Sequence, residues 1–359
     1  MLECTRVVAI PTRTRFRGVT VREAAIFKGP NGASEFSPFL EYEDREAASW
    51  LAAAVEYGWG SLPSLQRSRI AINATVPAVS AAAVPEVLAR FEGCHTAKVK
   101  VAERGQSLAD DIARVRAVRE AMGDDALVRI DANGGWSVDE AVTALRALAE
   151  FDLDYAEQPC TSVAELVEVR RFLTTDQKVR GSIIGSSPAR SLDFQSNAES
   201  FAVNREPADY ESPLVRIAAD ESVRKAEDPL AVARAGAADL LIVKAQPLGG
   251  IARALEIIEA AGLPVVVSSA LDTSVGIGMG LHLAAALPEG MLAGACGLGT
   301  VALLDGDVTD RQLIAENGEI EVRRAILEPE LLEQHAAEPE GERWWRERIA
   351  RCHRLLANS

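Results

Sequence analysis

From His95 onward the chain alternates short apolar runs with amphipathic stretches. His95–Ala102 predicts a strand and Ser107–Met122 a helix. Leu127–Asn133 and Ser137–Phe151 repeat the pair, the helix opening on a capping-box pattern, Ser137-Val138-Asp139-Glu140. Asp154–Gln158 with Ser162–Leu173, Ile217–Glu221 with Asp228–Ala235, Leu240–Ala245 with Ile251–Ala261, and Pro264–Ser269 with Ser274–Ala286 continue it. Gly294–Leu298 is a last short run. The strand segments are apolar almost throughout, as strands covered on both faces are, and each leads into a helix. That combination requires a parallel sheet. About seven or eight such units predict a closed barrel.

The flanking segments read differently. Val19–Ile26 has strand character, Lys28-Gly29-Pro30-Asn31-Gly32 is a turn, Ser34-Glu35-Phe36 resumes an extended pattern, and Arg45–Tyr57 reads as a helix. The expectation is an α/β fold: a modified (β/α) TIM-like barrel over 91–304 with a small N-terminal α+β capping domain over 1–90. The segment from about 305 to 359 ends in Trp344, Trp345, Arg346, Arg348, Arg351 and Arg354, an amphipathic tail expected to pack back on the body. Between 174 and 213 no period is sustained, which predicts an insertion after the third βα unit.

The bulk numbers narrow the partners. A formal charge of −15 over 359 residues argues against nucleic acid or an anionic membrane, both of which demand basic faces. Five widely spaced cysteines without a CxxC predict neither a disulfide framework nor a zinc site. No signal-peptide core opens the chain, and the apolar stretch 263–295 is broken by Asp272, His282, Pro288 and Glu289. A cytoplasmic protein acting on a small molecule is expected, as a monomer or a homo-oligomer.

Within the first strand of the repeat, Lys98 and Lys100 stand two residues apart and leave the same face. Burying an ammonium costs several kcal/mol unless it is paired, so anionic groups are expected opposite. The following strands supply them at their C-terminal ends: Asp131 with Asn133, Glu157 in Glu157-Gln158-Pro159, and Asp220 in Asp220-Glu221-Ser222. In a parallel barrel these ends ring one face, where active sites lie. Three carboxylates from separate strands suit Mg²⁺, with Mn²⁺ a possible substitute; no His or Cys in the set points to zinc. Lys244 ends the Leu240 strand, across the mouth from Lys98 and Lys100. Lysines beside a divalent ion fit proton abstraction next to a carboxylate.

The K-x-K, D-x-N, E-Q-P and D-E-S pattern with a lysine at Lys244 resembles the enolase superfamily, and within it the muconate-lactonizing subgroup. Phe16-Arg17-Gly18-Val19-Thr20, Glu35-Phe36-Ser37-Pro38-Phe39-Leu40-Glu41-Tyr42, Asn73-Ala74-Thr75-Val76-Pro77 and Ala295-Cys296-Gly297-Leu298-Gly299-Thr300 are similar to segments of the actinobacterial o-succinylbenzoate synthases. The resemblance implies Asp131, Glu157 and Asp220 as Mg²⁺ ligands, Lys100 as base, Lys98 as its electrostatic neighbour, and Lys244 as stabiliser of an enediolate from the opposite face. A lysine base with Mg²⁺ is the stated pattern of that superfamily. The implied reaction is dehydration of 2-succinyl-6-hydroxy-2,4-cyclohexadiene-1-carboxylate, a step towards menaquinone. Its substrate is a small dianionic carboxylate, for which Asn133, Ser268, Ser269, Gly297 and Arg15 are candidate contacts. The same lysines would serve an N-acylamino acid racemase or dipeptide epimerase. A barrel displaced by its insertion would be an inactive binding protein.

Overall fold

The computed structural model describes residues 5–16, 18–184, 213–224 and 228–358, with backbone alone for 177–184. An antiparallel sheet of three strands comes first: β1 (Thr5–Phe16), β2 (Val19–Gly29) and β3 (Gly32–Phe36), in the order β1-β2-β3. Its longest strand, β1, is not among the expected elements. Pro11 cannot donate to a ladder, and four exposed or half-buried polar residues follow it. Both features suit the edge strand that β1 is. The Gly29-Pro30-Asn31-Gly32 turn joins β2 to β3 as expected, with Gly32 at φ 122°.

The helix Asp44–Trp59 follows and docks this sheet on the body. Its Glu56 carboxylate accepts from the Ile251 and Ala252 N–H groups at 2.5 and 2.9 Å, capping the helix Ile251–Ala261. The C-terminal helix Pro339–Ala357 packs back on the same unit. Trp345 meets Phe36 edge-on at 5.7 Å and donates from Nε1 to Glu23 at 2.6 Å.

A two-stranded ribbon pairs β4 (Arg69–Ala71) with a later strand. Seven parallel strands then form the barrel sheet: β5 (Ala74–Val76), β6 (Thr96–Lys100), β7 (Leu127–Asp131), β8 (Leu153–Glu157), β9 (Ile217–Ala219), β10 (Leu240–Val243) and β11 (Val265–Val267). The ribbon partner of β4 is β12 (Glu319–Glu321). The last apolar run closes the ring. Gly297 donates to Val267 at 2.8 Å on one side, and Asn73 donates to Cys296 at 2.9 Å on the other. Ala74–Val76, which precedes the expected boundary near 90, pairs in parallel with β6 in the barrel sheet. Three residues are too short a run to show a period.

The helix after β8 also differs from expectation. It runs Val163–Ile184 rather than ending at Leu173. Thr174 and Thr175 donate back to the Arg170 and Arg171 carbonyls at 2.9 and 3.0 Å, so the hydroxyls that weaken a helical pattern are absorbed by the helix itself. The remainder of the expected insertion, 185–212, lies outside the described residues. Among the described residues no helix is long and apolar enough to cross a membrane.

Strand alternation sorts the barrel's side chains. Ala97, Val99, Val128 and Ile130 face outward into the main core with the surrounding helices. Tyr155, Ala218, Leu240, Ile242 and Val266 form a separate apolar plug inside the ring. Below the mouth, Arg129 lies buried against the Tyr155 ring at 4.8 Å and on Asp154 at 2.7 Å. The next inward layer, one step towards the C-terminal ends, is where charge accumulates.

Candidate active site

Register places the charged layer. Lys98 pairs with Arg129 and Lys100 with Asp131 across β6 and β7, and Asp131 pairs with Glu157 across β7 and β8. Asp220 follows β9 by one residue and Lys244 follows β10. All six side chains are buried, Glu157 completely so.

The lysines answer the carboxylates directly. Lys98 Nζ lies 3.1 and 3.3 Å from the two Glu157 oxygens and 3.4 Å from Asp131. Lys100 donates to Asp131 and, at 2.7 Å, to Asn133 Oδ1. Lys244 donates to Asp220 at 2.5 Å. Counting round the ring, β6 and β10 are separated by three strands, so Lys98 and Lys100 approach from one side and Lys244 from the other.

Burial and charge pull these groups apart in acidity. Burial lowers Lys98, but Glu157 and Asp131 outweigh it and hold the ammonium charged. Lys244 goes the other way: burial dominates, Asp220 only partly offsets it, and the Arg224 charge lowers it further. Asp131 and Asp220 are buried, yet their cationic partners hold both well below the usual carboxylate range. Glu157 is pushed up to about 7 by burial and then by the Asp131 charge, so it is the acid of the set most in want of a cation.

Neighbouring residues fix the constellation. Asn133 sits in the left-handed region at φ 47°, donates from Nδ2 to Glu221 at 3.2 Å, and its own N–H donates to Asp131 at 3.0 Å. Arg224 donates to Asp220 at 3.0 Å and to Glu221 at 2.7 Å. Gln158, also left-handed at φ 40°, accepts from the Asp220 and Ser222 N–H groups. The roles of Gln158 and Arg224 escape sequence reasoning. Gln158, although inside the E-Q-P motif, holds the next strand end, and Arg224 reaches beyond its own strand end to Tyr42 on the N-terminal unit.

A small chamber of about 20 Å³ is lined by Phe16, Phe39, Lys98, Lys100, Lys244 and Ser268 among others. Ser269, Gly297 and Asn133 line it too, so these expected substrate contacts are brought together. Ser269 is already engaged, bonding the Gly297 carbonyl and Thr300 Oγ1 at 2.8 Å each. Arg15 is not in this chamber. It lines an adjoining cavity of about 290 Å³ that shares Phe16, Lys100 and Asn133.

Among the described residues no three acidic, histidine or cysteine side chains stand as a preformed metal cage. Lysine ammoniums stand against the carboxylates, Lys98 Nζ lying within 3.4 Å of both Asp131 and Glu157. The donor set nonetheless fits a hard divalent ion. It consists only of carboxylate oxygens from three neighbouring strand ends, and Lys98 Nζ, held between Asp131 and Glu157, already marks a position where positive charge is bound.

The chain matches the family described as Enolase N-terminal domain-like over residues 7–58 and that described as Enolase C-terminal domain-like over 80–183 and 200–326. It is 49% identical, over 99% of its own length and 97% of the relative's, to the o-succinylbenzoate synthase of Mycolicibacterium smegmatis. Among solved structures, 2-chloromuconate cycloisomerase from Rhodococcus opacus superposes with a TM-score of 0.69 at 22% identity, covering 93% of this chain and 98% of that one. A dipeptide epimerase from Enterococcus faecalis, complexed with Mg and the dipeptide L-Leu-L-Tyr, superposes with a TM-score of 0.65 at 22% identity, covering 90% and 96%.

Proposed function

The chain belongs to the enolase superfamily, and within it we infer an o-succinylbenzoate synthase, a hydro-lyase. The observation that carries this is near-half identity, end to end, with a relative of that name. The substrate we assign is 2-succinyl-6-hydroxy-2,4-cyclohexadiene-1-carboxylate, the product 2-succinylbenzoate and water, on the way to menaquinone.

Asp131, Glu157 and Asp220 would hold Mg²⁺. Bound there, the ion would neutralise the carboxylates that now hold the lysines and draw negative charge onto the substrate carboxylate. Lys100, as the neutral amine, takes the proton from the ring carbon bearing that carboxylate. The C–H electron pair moves into the carboxylate and then into the ring as the C–O bond to the hydroxyl breaks. The proton on Lys100 leaves with the hydroxyl as water, and the ring becomes aromatic. Lys98 stays charged beside the site, and Lys244 supplies a second cation from the other side.

Before Lys100 gives up its proton, Lys98, Lys100, Lys244 and Arg224 stand against Asp131, Glu157, Asp220 and Glu221, four cationic groups to four acidic ones. An anionic substrate entering with a divalent cation adds less buried charge than either would alone. The chamber's volume of about 20 Å³ is too small for the ring. Substrate entry therefore calls for the lining to open, and Phe16 and Phe39 border the chamber from the N-terminal unit. To Arg15, which lines the adjoining cavity, we assign the succinyl carboxylate.

The test is product formation from freshly prepared substrate with Mg²⁺ and with chelator, followed by mass and chromatography. Mg²⁺-dependent 2-succinylbenzoate is the expected result. Absence of product, together with deuterium exchange at the α-carbon of N-succinylamino acids, would assign a racemase instead.

A further inference from the structure

Arg224 joins the N-terminal unit to the catalytic centre. It lies one helical turn beyond Asp220, is buried, and sends its three nitrogens to three acceptors. Nε donates to Asp220 Oδ1 at 3.0 Å, Nη2 to Glu221 Oε1 at 2.7 Å, and Nη1 to the Tyr42 hydroxyl at 2.9 Å. The first two acceptors belong to its own strand end. The third is 182 residues away in sequence, on the segment that carries Phe39 over the chamber.

Each branch continues to a lysine. Asp220 gives Oδ1 to Arg224 and so presents Oδ2 to Lys244. Glu221 Oε1 also accepts from Asn133, whose Oδ1 accepts from Lys100. The segment around Tyr42 is anchored elsewhere: Arg348 donates to the Phe39 and Tyr42 carbonyls, Arg22 donates to the Ser37 carbonyl, and the Tyr42 ring packs edge-on against Phe39 at 5.6 Å. The Tyr42 hydroxyl is thus delivered only when this segment is seated.

A guanidinium is a rigid planar fork, so its three bonds constrain one another. Take away the Tyr42 acceptor and a buried N–H loses its partner, which favours rotation of the whole group. Rotation would release Asp220 and Glu221 together. Resting on the reading that Lys100 and Lys244 flank the substrate, we propose that Arg224 is a positioning residue that couples seating of the Ser37–Tyr42 segment to both lysines, with Tyr42 as its partner. It touches no reacting atom. Its consequence is that the centre is fully ordered only when the N-terminal unit has closed.

The test is a double-mutant cycle of Tyr42→Phe and Arg224→Lys in the full chain, read in kcat, in KM and in Mg²⁺ affinity by calorimetry. Tyr42→Phe keeps the ring packing and removes one oxygen. The expected result is a fall in kcat of about tenfold or more in each single variant, with KM changed by less than about threefold. Mg²⁺ affinity should be weakened in both, and the double variant should be no worse than the poorer single one. Parental kcat and Mg²⁺ affinity in Tyr42→Phe, or losses that add in the double variant, would overturn the proposal. A rise in KM alone would do so too, since it would reduce the contact to a latch. Should the parent not turn over the assigned substrate, the cycle in Mg²⁺ affinity still decides: coupled losses support the role of Arg224, and additive or absent losses refute it.

Discussion

Gln158 holds the main chain of Asp220 from the neighbouring strand end: its Oε1 accepts the Asp220 N–H at 3.0 Å and the Ser222 N–H at 3.2 Å. Its Nε2 donates to the Cys160 carbonyl at 2.8 Å and to Ser222 Oγ at 2.7 Å. Both ends of the amide are used and the side chain is fully buried. Gln158→Ala takes a partner from two N–H groups, a carbonyl and the Ser222 hydroxyl in the interior, so stability should fall by about 2–4 kcal/mol. Urea unfolding measures this. Because Asp220 loses its anchor, Mg²⁺ affinity should fall as well, to be measured by titration calorimetry.

On the proposed reading, Lys98 and a divalent ion compete for the same negative charge. Lys98→Ala strands Asp131 and Glu157 without their shared ammonium. In chelator the variant should be less stable than the parent by about 3–5 kcal/mol. Added Mg²⁺ should raise its melting temperature by more than it raises the parent's, while turnover falls. Equal Mg²⁺ shifts in the two proteins would count against an ion held by Asp131 and Glu157.

Glu35 carries a prediction away from the centre. Its buried carboxylate accepts from Ser37 Oγ at 2.6 Å, Thr273 Oγ1 at 2.5 Å and Gly276 N at 3.0 Å, joining β3 to the loop after β11. Burial and then the nearby Asp272 charge push it up to about 7. A carboxyl raised on folding binds its proton more tightly in the native state, so it stabilises below its unfolded value near 4.5, and that contribution is lost as pH rises towards 7. Glu157 has the same sign. Between pH 5 and 8, without metal, the parent should lose about 1–3 kcal/mol more stability than Glu35→Gln. An identical pH dependence in the two proteins would contradict this.

The barrel was legible because apolar runs and amphipathic helices alternate over most of the chain, and period is a local property. Lys98 and Lys100 were legible for the same reason: two residues apart on a strand means one face. What escaped is what depends on distance. Ala74–Val76 is too short to carry a period, and its place in the ring comes from pairing with Thr96–Lys100. The edge strand Thr5–Phe16 carries Pro11 and loses its register before Phe16, which blurs its alternation. The bond from Arg224 to Tyr42 links segments that only the folded chain brings together. The lysines' occupation of the carboxylates was half visible, since opposite charges were expected to meet, but which carboxylate each lysine holds is set by strand register.

The most direct measurement is turnover of 2-succinyl-6-hydroxy-2,4-cyclohexadiene-1-carboxylate by Lys100→Ala beside the parent, with Mg²⁺ and with the fold of both checked by circular dichroism. The expected result is rapid 2-succinylbenzoate formation by the parent and a loss of at least about a thousandfold in kcat for Lys100→Ala. Turnover by Lys100→Ala within about tenfold of the parent would contradict its assignment as the base.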